Sequence, residues 1–270
     1  MFPQYRMTKY GISTCGSEYV LVDHASRERA IHVSRFSTLG FFSLQLNGIL
    51  SIAMRTPPTG PLLYCTVLCN ILHFLIVWVD PGYVPLTQTQ QSEYAYDSSN
   101  SRYCEKCSMV TPLRTKHCSK CGRCVARYDH HCYWLVTCIG SRNHSLFIVY
   151  LFLLTFTTAN GVGQSYSVIR NEGVTQSWDD YIWLNLSQLG AVVSGSFFIL
   201  FIGLLALGHV VMACHGFTTY EFASGHKIDY LKKFGSGHPF DFGVIANVRN
   251  FLWKTDPRSE WRLRGRESIV

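Results

Sequence analysis

The chain has 270 residues, 47% of them hydrophobic and 14% aromatic, with 15% charged residues and a formal net charge of +7. This composition excludes a disordered, charge-rich polypeptide and fits one or two folded domains. The basic balance raises nucleic acid as a partner, but long apolar stretches argue against it and point to anionic headgroups or ligand phosphates.

Residues 1–35 contain no apolar run of the signal-peptide kind, so no cleaved leader is expected and they are read as a cytosolic N-terminus. Apolar, aromatic-rich stretches follow at 36–54, 60–79, 145–168 and 186–212. Each is close to the roughly 20 residues that cross a bilayer. The first carries Ser37, Ser43, Gln45, Asn47 and Ser51, so a soluble core helix is its alternative; the topology requires it as a span. The second includes Asn70 and His73, whereas the last two contain uninterrupted runs such as LFIVYLFLLTF. With four spans, 22 of the 24 Lys and Arg fall on one side, which the positive-inside rule makes cytosolic. The loop after the third span instead holds Glu172, Asp179 and Asp180.

Residues 85–103 are polar and read as a linker into a cysteine-rich module, and residues 213–270 form a tail on the same side. Val244, Ile245, Val248, Phe251 and Leu252 recur in that tail at helical spacing. The expected fold is an all-α integral membrane protein: four transmembrane helices with a cytosolic double-zinc cysteine-rich domain of short β-hairpins. Its expected divisions are 1–35, helices one and two in 36–79, the zinc domain in 80–144, helices three and four in 145–212, and the tail 213–270. No internal repeat is apparent.

The module carries the chemistry. From Cys104 to Cys138 the chain reads CEKCSMVTPLRTKHCSKCGRCVARYDHHCYWLVTC, with seven of the eleven cysteines. Cysteine pairs two residues apart, with interspersed histidines, have metal spacing, and the odd number of thiols argues against a disulfide framework. Two tetrahedral zinc sites need eight ligands. Adjacent residues such as His117 and Cys118 point in different directions and should serve different ions. The expected sets are therefore Cys104, Cys107, His117 and Cys124 for one zinc, and Cys118, Cys121, His131 and Cys138 for the other. Asp129, His130 and Cys132 are left over, and they are the parts of an activated nucleophile: a thiol, its base, and a carboxylate to orient the base. A purely structural zinc module with Cys132 as an inert spare is the alternative. Asn143 to Phe147 then lead into the third span, only eleven residues after Cys132, which would set the thiol at the membrane boundary.

Asp129-His130-His131-Cys132 in this cysteine-rich frame resembles the DHHC family of protein S-acyltransferases, the palmitoyltransferases. Asp80-Pro81-Gly82 is similar to the family's DPG motif, and Thr218-Thr219-Tyr220-Glu221 to its TTxE motif. The segment from Phe240 through Asn247 to Phe251 resembles its C-terminal helix motif. The likeness runs from about residue 35 to about residue 253, and the short chain looks most like the compact, twelfth-paralogue type. Tyr133 and Thr137 depart from the family's usual Pro and Asn beside the nucleophile, while Trp134 is kept.

The resemblance implies acyl transfer from a long-chain acyl-CoA such as palmitoyl-CoA, through a thioester on Cys132, to cysteines of membrane-associated proteins. It implies two structural zinc ions, a hydrogen bond from Thr219 to Asp129, supporting roles for Thr218, Glu221 and Trp134, and an Asn247 that ties the tail helix to the end of the last span. It also favours a Golgi or endoplasmic reticulum membrane, with the active site facing the cytosol. Arg114 and Lys116, within the module's basic set, are candidates for the coenzyme A phosphates; a merely solvated basic face is the alternative. Two other functions remain open: a catalytically weak zinc-ordered membrane adaptor, suggested by Tyr133 and Thr137, and a membrane-bound ubiquitin ligase, since interleaved zinc ligands suit that class too. Asn185-Leu186-Ser187 has the glycosylation pattern but lies close to the last span. Cys65, Cys69 and Cys214 read as small apolar residues rather than ligands.

Overall fold

In the computed structural model, the described residues are 59–84, 101–171, 177–232 and 238–253, together with two short backbone pairings at 12–13 and 20–21. The latter form a two-residue antiparallel ladder, β1 (Ile12–Ser13) with β2 (Val20–Leu21). The expected first span, 36–54, and the linker 85–100 lie outside the described residues. The chain divides into two compact units: residues 36–78 with 146–210, and residues 1–35, 79–145 and 211–270.

The first unit is helical. Helices α1 (Gly60–Trp78), α2 (His144–Asn171) and α3 (Trp178–Cys214) are each long and apolar enough to cross a membrane. At about 1.5 Å per residue they measure roughly 28, 42 and 55 Å, so α2 and α3 exceed the roughly 30 Å of a bilayer's hydrocarbon core. Their large apolar residues face outward: Phe156, Trp183, Val193, Phe197 and Leu204 are each more than half exposed. In water such a surface would aggregate; in lipid it is solvated, and the chain is a multi-pass membrane protein.

Hydroxyl-bearing residues on the spans satisfy themselves locally. Thr155, Thr157 and Thr158 each donate to the carbonyl four residues back, which removes an unmet donor from lipid. Small residues let backbones approach, as is usual between membrane helices. A methyl group on Gly195 of α3 would run into Val162 of α2, and one on Gly203 would meet Thr155. His73 of α1 is buried against Tyr150 of α2, with Nδ1 3.3 Å from the phenol oxygen. Asn185 lies inside α3 and is fully buried, so the glycosylation pattern there is not displayed on a loop. Cys69 is fully buried and Cys65 and Cys214 are half-buried, and none of the three is in a disulfide.

The second unit holds three two-stranded antiparallel hairpins: β3 (Ser101–Cys104) with β4 (Met109–Pro112), β5 (Lys116–Cys118) with β6 (Arg123–Val125), and β7 (His130–Cys132) with β8 (Thr137–Ile139). These strands are too short to build a core. The buried clusters consist of Cys118, Val125, Tyr128 and Cys138, and of Val84, Met109 and Cys124. Three of those seven residues are cysteines of the ligand kind, so a bound metal would add stability that so small a core lacks. The tail adds α4 (Thr219–Ser224), a 3₁₀ turn at Gly225–Lys227, α5 (Asp229–Lys232) and α6 (Val244–Trp253).

Two glycines are needed for conformation. Gly82, with φ +105°, sits in a turn where both Oδ1 bonds of Asp80 go to the backbone N–H groups of Gly82 and Tyr83. This turn docks on the second hairpin, with Ala126 N–H donating to the Gly82 carbonyl at 2.8 Å. Gly216, with φ +72°, ends α3: Phe217 N–H bonds back to Met212 and Gly216 N–H to Ala213, the pairing of a Schellman cap.

Candidate active site and metal centres

The three hairpins repeat one plan every fourteen residues. Cys104, Cys118 and Cys132 end the first strands and pair across to Met109, Arg123 and Thr137. The residue just before each return strand, Ser108, Gly122 or Val136, is left-handed, with φ of 49°, 63° and 50°. No internal repeat is apparent in the sequence, but the backbone carries one. Side-chain identity obscures the period because the third copy has Leu135 where the first two have Cys107 and Cys121.

This plan gathers two four-ligand clusters: Cys104, Cys107, His117 and Cys124, and Cys118, Cys121, His131 and Cys138. In the first, Cys107 Sγ lies 3.2 Å from His117 Nδ1 and 3.6 Å from Cys124 Sγ. In the second, His131 Nδ1 lies 3.6, 3.4 and 3.6 Å from the thiols of Cys118, Cys121 and Cys138. A tetrahedral ion with the bond lengths of zinc sets sulfurs about 3.8 Å apart and sulfur about 3.5 Å from nitrogen. Both clusters fit. Each takes its first two thiols from the knuckle of one hairpin and its His and last Cys from the next, so a metal would staple successive hairpins together. None of the described cysteines is in a disulfide.

The third hairpin uses its positions differently. His131 turns into the second cluster, while Cys132 occupies the knuckle position with no second thiol beside it, because Leu135, 2% exposed, fills that place with hydrocarbon. Cys132 is buried, and Tyr133 and Trp134 at the tip are exposed. Tyr133 meets the His131 ring edge-on at 5.4 Å. Thr137 is buried opposite Cys132 in the ladder. His130 Nδ1 donates to Asp129 Oδ2 at 2.7 Å. Burial draws the His130 imidazole down, but hydrogen bonds to Asp129 and Cys132 and their charges outweigh it and push the ring up to about 9.

Asp129 is fixed from several directions. Thr219 gives it two bonds, N–H to Oδ1 at 2.7 Å and Oγ1–H to Oδ2 at 2.8 Å. His144 Nε2 approaches Oδ1 at 3.6 Å, and the His144 ring packs edge-on to Phe251 of α6. Thr219 opens α4, whose N-cap is Thr218: Thr218 Oγ1 accepts from Glu221 N–H, and Glu221 Oε2 accepts from Thr218 N–H, a full capping box. Asn247 donates to the carbonyl of Cys214 at 2.8 Å and accepts from Phe242 N–H. It thus ties α6 to the end of α3.

Arg114 and Lys116, the candidates for the coenzyme A phosphates, are both engaged by side chains of the tail. Arg114 is 6% exposed and directed at Glu221. Lys116 lies over the Tyr220 ring at 3.8 Å, and burial pulls its ammonium below the ordinary lysine range. Asn143, at the lead-in to α2, is fully buried and locks the turn after β8 by accepting from Gly140 N–H and donating to the Cys138 carbonyl, both at 3.0 Å.

A model of the DHHC palmitoyltransferase family matches residues 97–226. Over 202 residues the chain is 36% identical to palmitoyltransferase ZDHHC12 of Homo sapiens, covering 71% of this chain and 72% of that protein. The Mus musculus protein of the same name is 36% identical over 203 residues, with 71% and 74% covered. Palmitoyltransferase ZDHHC12-A of Danio rerio is 36% identical over 208 residues, with 71% and 76% covered. The hairpin module with its two four-ligand clusters, the Asp-His-Cys array and the likeness along most of both chains lead to one conclusion: this chain belongs to the DHHC palmitoyltransferase family.

Proposed function

We propose that the chain is a protein S-acyltransferase that moves a long-chain acyl group, palmitoyl above all, from acyl-CoA to cysteines of membrane-associated proteins through a thioester on Cys132. One observation carries this reading: when the two four-ligand clusters are assigned, Asp129, His130 and Cys132 remain, with His130 bonded to Asp129 at 2.7 Å and its imidazole held up by both neighbours.

In the first half-reaction the Cys132 proton rests on His130, and the thiolate attacks the thioester carbonyl carbon of acyl-CoA. The carbon–sulfur bond to coenzyme A breaks, and the departing sulfur takes the proton from His130. In the second, a substrate cysteine gives its proton to His130, attacks the acyl-enzyme, and displaces Cys132. One thioester replaces another at each step, so no nucleotide is consumed. Cys104, Cys107, His117 and Cys124 would hold one zinc, and Cys118, Cys121, His131 and Cys138 the other; four protein ligands each leave no open position, so both ions are structural.

Four spans with both ends in the cytosol accommodate the charge bias, and they put the hairpin module on the cytosolic face. The 19-residue α1 and the resemblance favour the thinner membranes of the endoplasmic reticulum or Golgi.

Purified protein given labelled palmitoyl-CoA is expected to acquire hydroxylamine-sensitive label. Cys132→Ser is expected to remain unlabelled while keeping two metal equivalents. Equal label on Cys132→Ser rejects the nucleophile; an unlabelled intact protein supports an adaptor role; loss of one metal in Cys132→Ser moves that thiol into a ligand set.

A further inference from the structure

The guanidinium of Arg114 is buried in the hairpin unit and engaged on three sides. Its Nε donates to Glu221 Oε1 at 2.7 Å, its Nη2 to Glu221 Oε2 at 2.6 Å, and the same Nη2 to the Gly216 carbonyl at 2.6 Å. The Phe240 ring lies 4.3 Å from the guanidinium carbon. Arg114 itself has a left-handed backbone, φ 63°, and its carbonyl accepts from Tyr128 N–H, one residue before Asp129. At both ends, therefore, this residue is tied to the neighbourhood of the active carboxylate.

The partner matters as much. Glu221 also accepts from Tyr230 Oη at 2.9 Å and from Thr218 N–H at 2.9 Å, and its own N–H closes the capping box onto Thr218 Oγ1. Fixing the carboxylate fixes the turn 218–221, and the next residue in that turn is Thr219, whose N–H and hydroxyl both reach Asp129. A buried two-pronged ion pair of this kind is rigid, and removing one member leaves the other charge uncompensated.

Resting on the acyltransferase reading above, we infer that Arg114 is a positioning residue for acyl transfer: through Glu221 and the 218–221 turn it aims Thr219 at Asp129, and so sets the His130–Cys132 pair. It has no part in holding coenzyme A. Lys at this position would supply a point charge without the planar fork that matches a carboxylate.

The test is the rate of acyl-enzyme formation in single-turnover experiments on the full-length, metal-loaded protein, measured against palmitoyl-CoA concentration. Arg114→Gln is expected to slow the maximal rate roughly 10- to 100-fold, the size of effect that a small misalignment of reacting groups produces, with half-saturation in palmitoyl-CoA unchanged. Arg114→Lys should fall between it and wild type. The apolar pair Arg114→Met/Glu221→Met removes both charges together; it guards against loss of folding and should also be slow at unchanged half-saturation. Full speed in Arg114→Gln or in the double variant overturns the inference, as does a rise in half-saturation that accounts for the loss, which would make Arg114 a phosphate contact. Wild-type protein that takes no label fails the acyltransferase reading itself, whereas labelled wild type with an unaffected Arg114→Gln fails the positioning role alone.

Discussion

Asp129 is held by both donors of Thr219, by His130, and at longer range by His144. In the proposed mechanism such redundancy would suit a carboxylate that keeps one orientation while the His130 imidazole changes protonation. Thr219→Val deletes the hydroxyl bond and leaves the backbone one. A hydrogen bond to a charged group is worth about 1.5–3 kcal/mol, so acylation of Cys132 should slow by roughly ten-fold or more, and Thr219→Ser should restore it; single-turnover labelling measures both. Val136 is a second instructive residue. Its φ of 50° is a conformation that β-branched side chains adopt at a cost, and it directly precedes Thr137 in the chain. Val136→Asn, which tolerates the left-handed region, should raise thermal stability by about 1 kcal/mol, read as an upward shift in melting temperature of the detergent-solubilised protein.

The hairpins explain how one small unit supplies both structure and chemistry. Each of the first two knuckles would deliver two thiols to one ion, whereas the third carries a single thiol because Leu135 replaces its partner. The same geometry makes an expectation: Leu135→Cys places a second thiol at knuckle distance from Cys132. Acyl labelling of that variant should be lost under oxidising conditions or added zinc and recovered with a phosphine reductant and chelator, while the wild type responds to neither at those concentrations. The tail elements act as fasteners. Asn247 closes α6 onto the end of α3, and the Gly216 cap brings that end within reach of Arg114.

Across the whole chain, acid sensitivity should come from identifiable groups. Burial alone would raise the Glu221 carboxyl, but the Arg114 charge and its hydrogen bonds hold it below its ordinary value of 4.5. His238 is pushed by burial from 6.5 down to about 4. In both cases the unfolded chain binds the proton more readily. The His238 contribution is therefore lost as pH falls from 6.5 towards 4, and the Glu221 contribution as pH falls below 4.5. Melting temperature should drop across that window, and Glu221→Gln should lower it at pH 7 while flattening its most acid part. Metal removal at neutral pH should be more damaging, since three of the seven residues in the buried clusters of the hairpin unit are candidate ligands.

Much of this was legible in the chain because it is local. Span length and apolarity are properties of consecutive residues, and α1, α2 and α3 lie where the second, third and fourth apolar stretches do. Cysteine spacing and the incompatible directions of His117 and Cys118 grouped the same eight side chains that the structure clusters. The surplus of Asp129, His130 and Cys132 followed from counting. The fourteen-residue period was present but hidden, since it lives in backbone φ and strand register and is broken in side-chain identity at Leu135. The place of Arg114 was not legible at all. Its partner Glu221 is 107 residues away, and a basic side chain in a basic segment looks the same on paper whether it faces water or a buried carboxylate. Composition, spacing and length act along the chain and can be read there; the closing of an ion pair between distant segments depends on where the folded backbone brings them, and only the assembled hairpins and tail define that place.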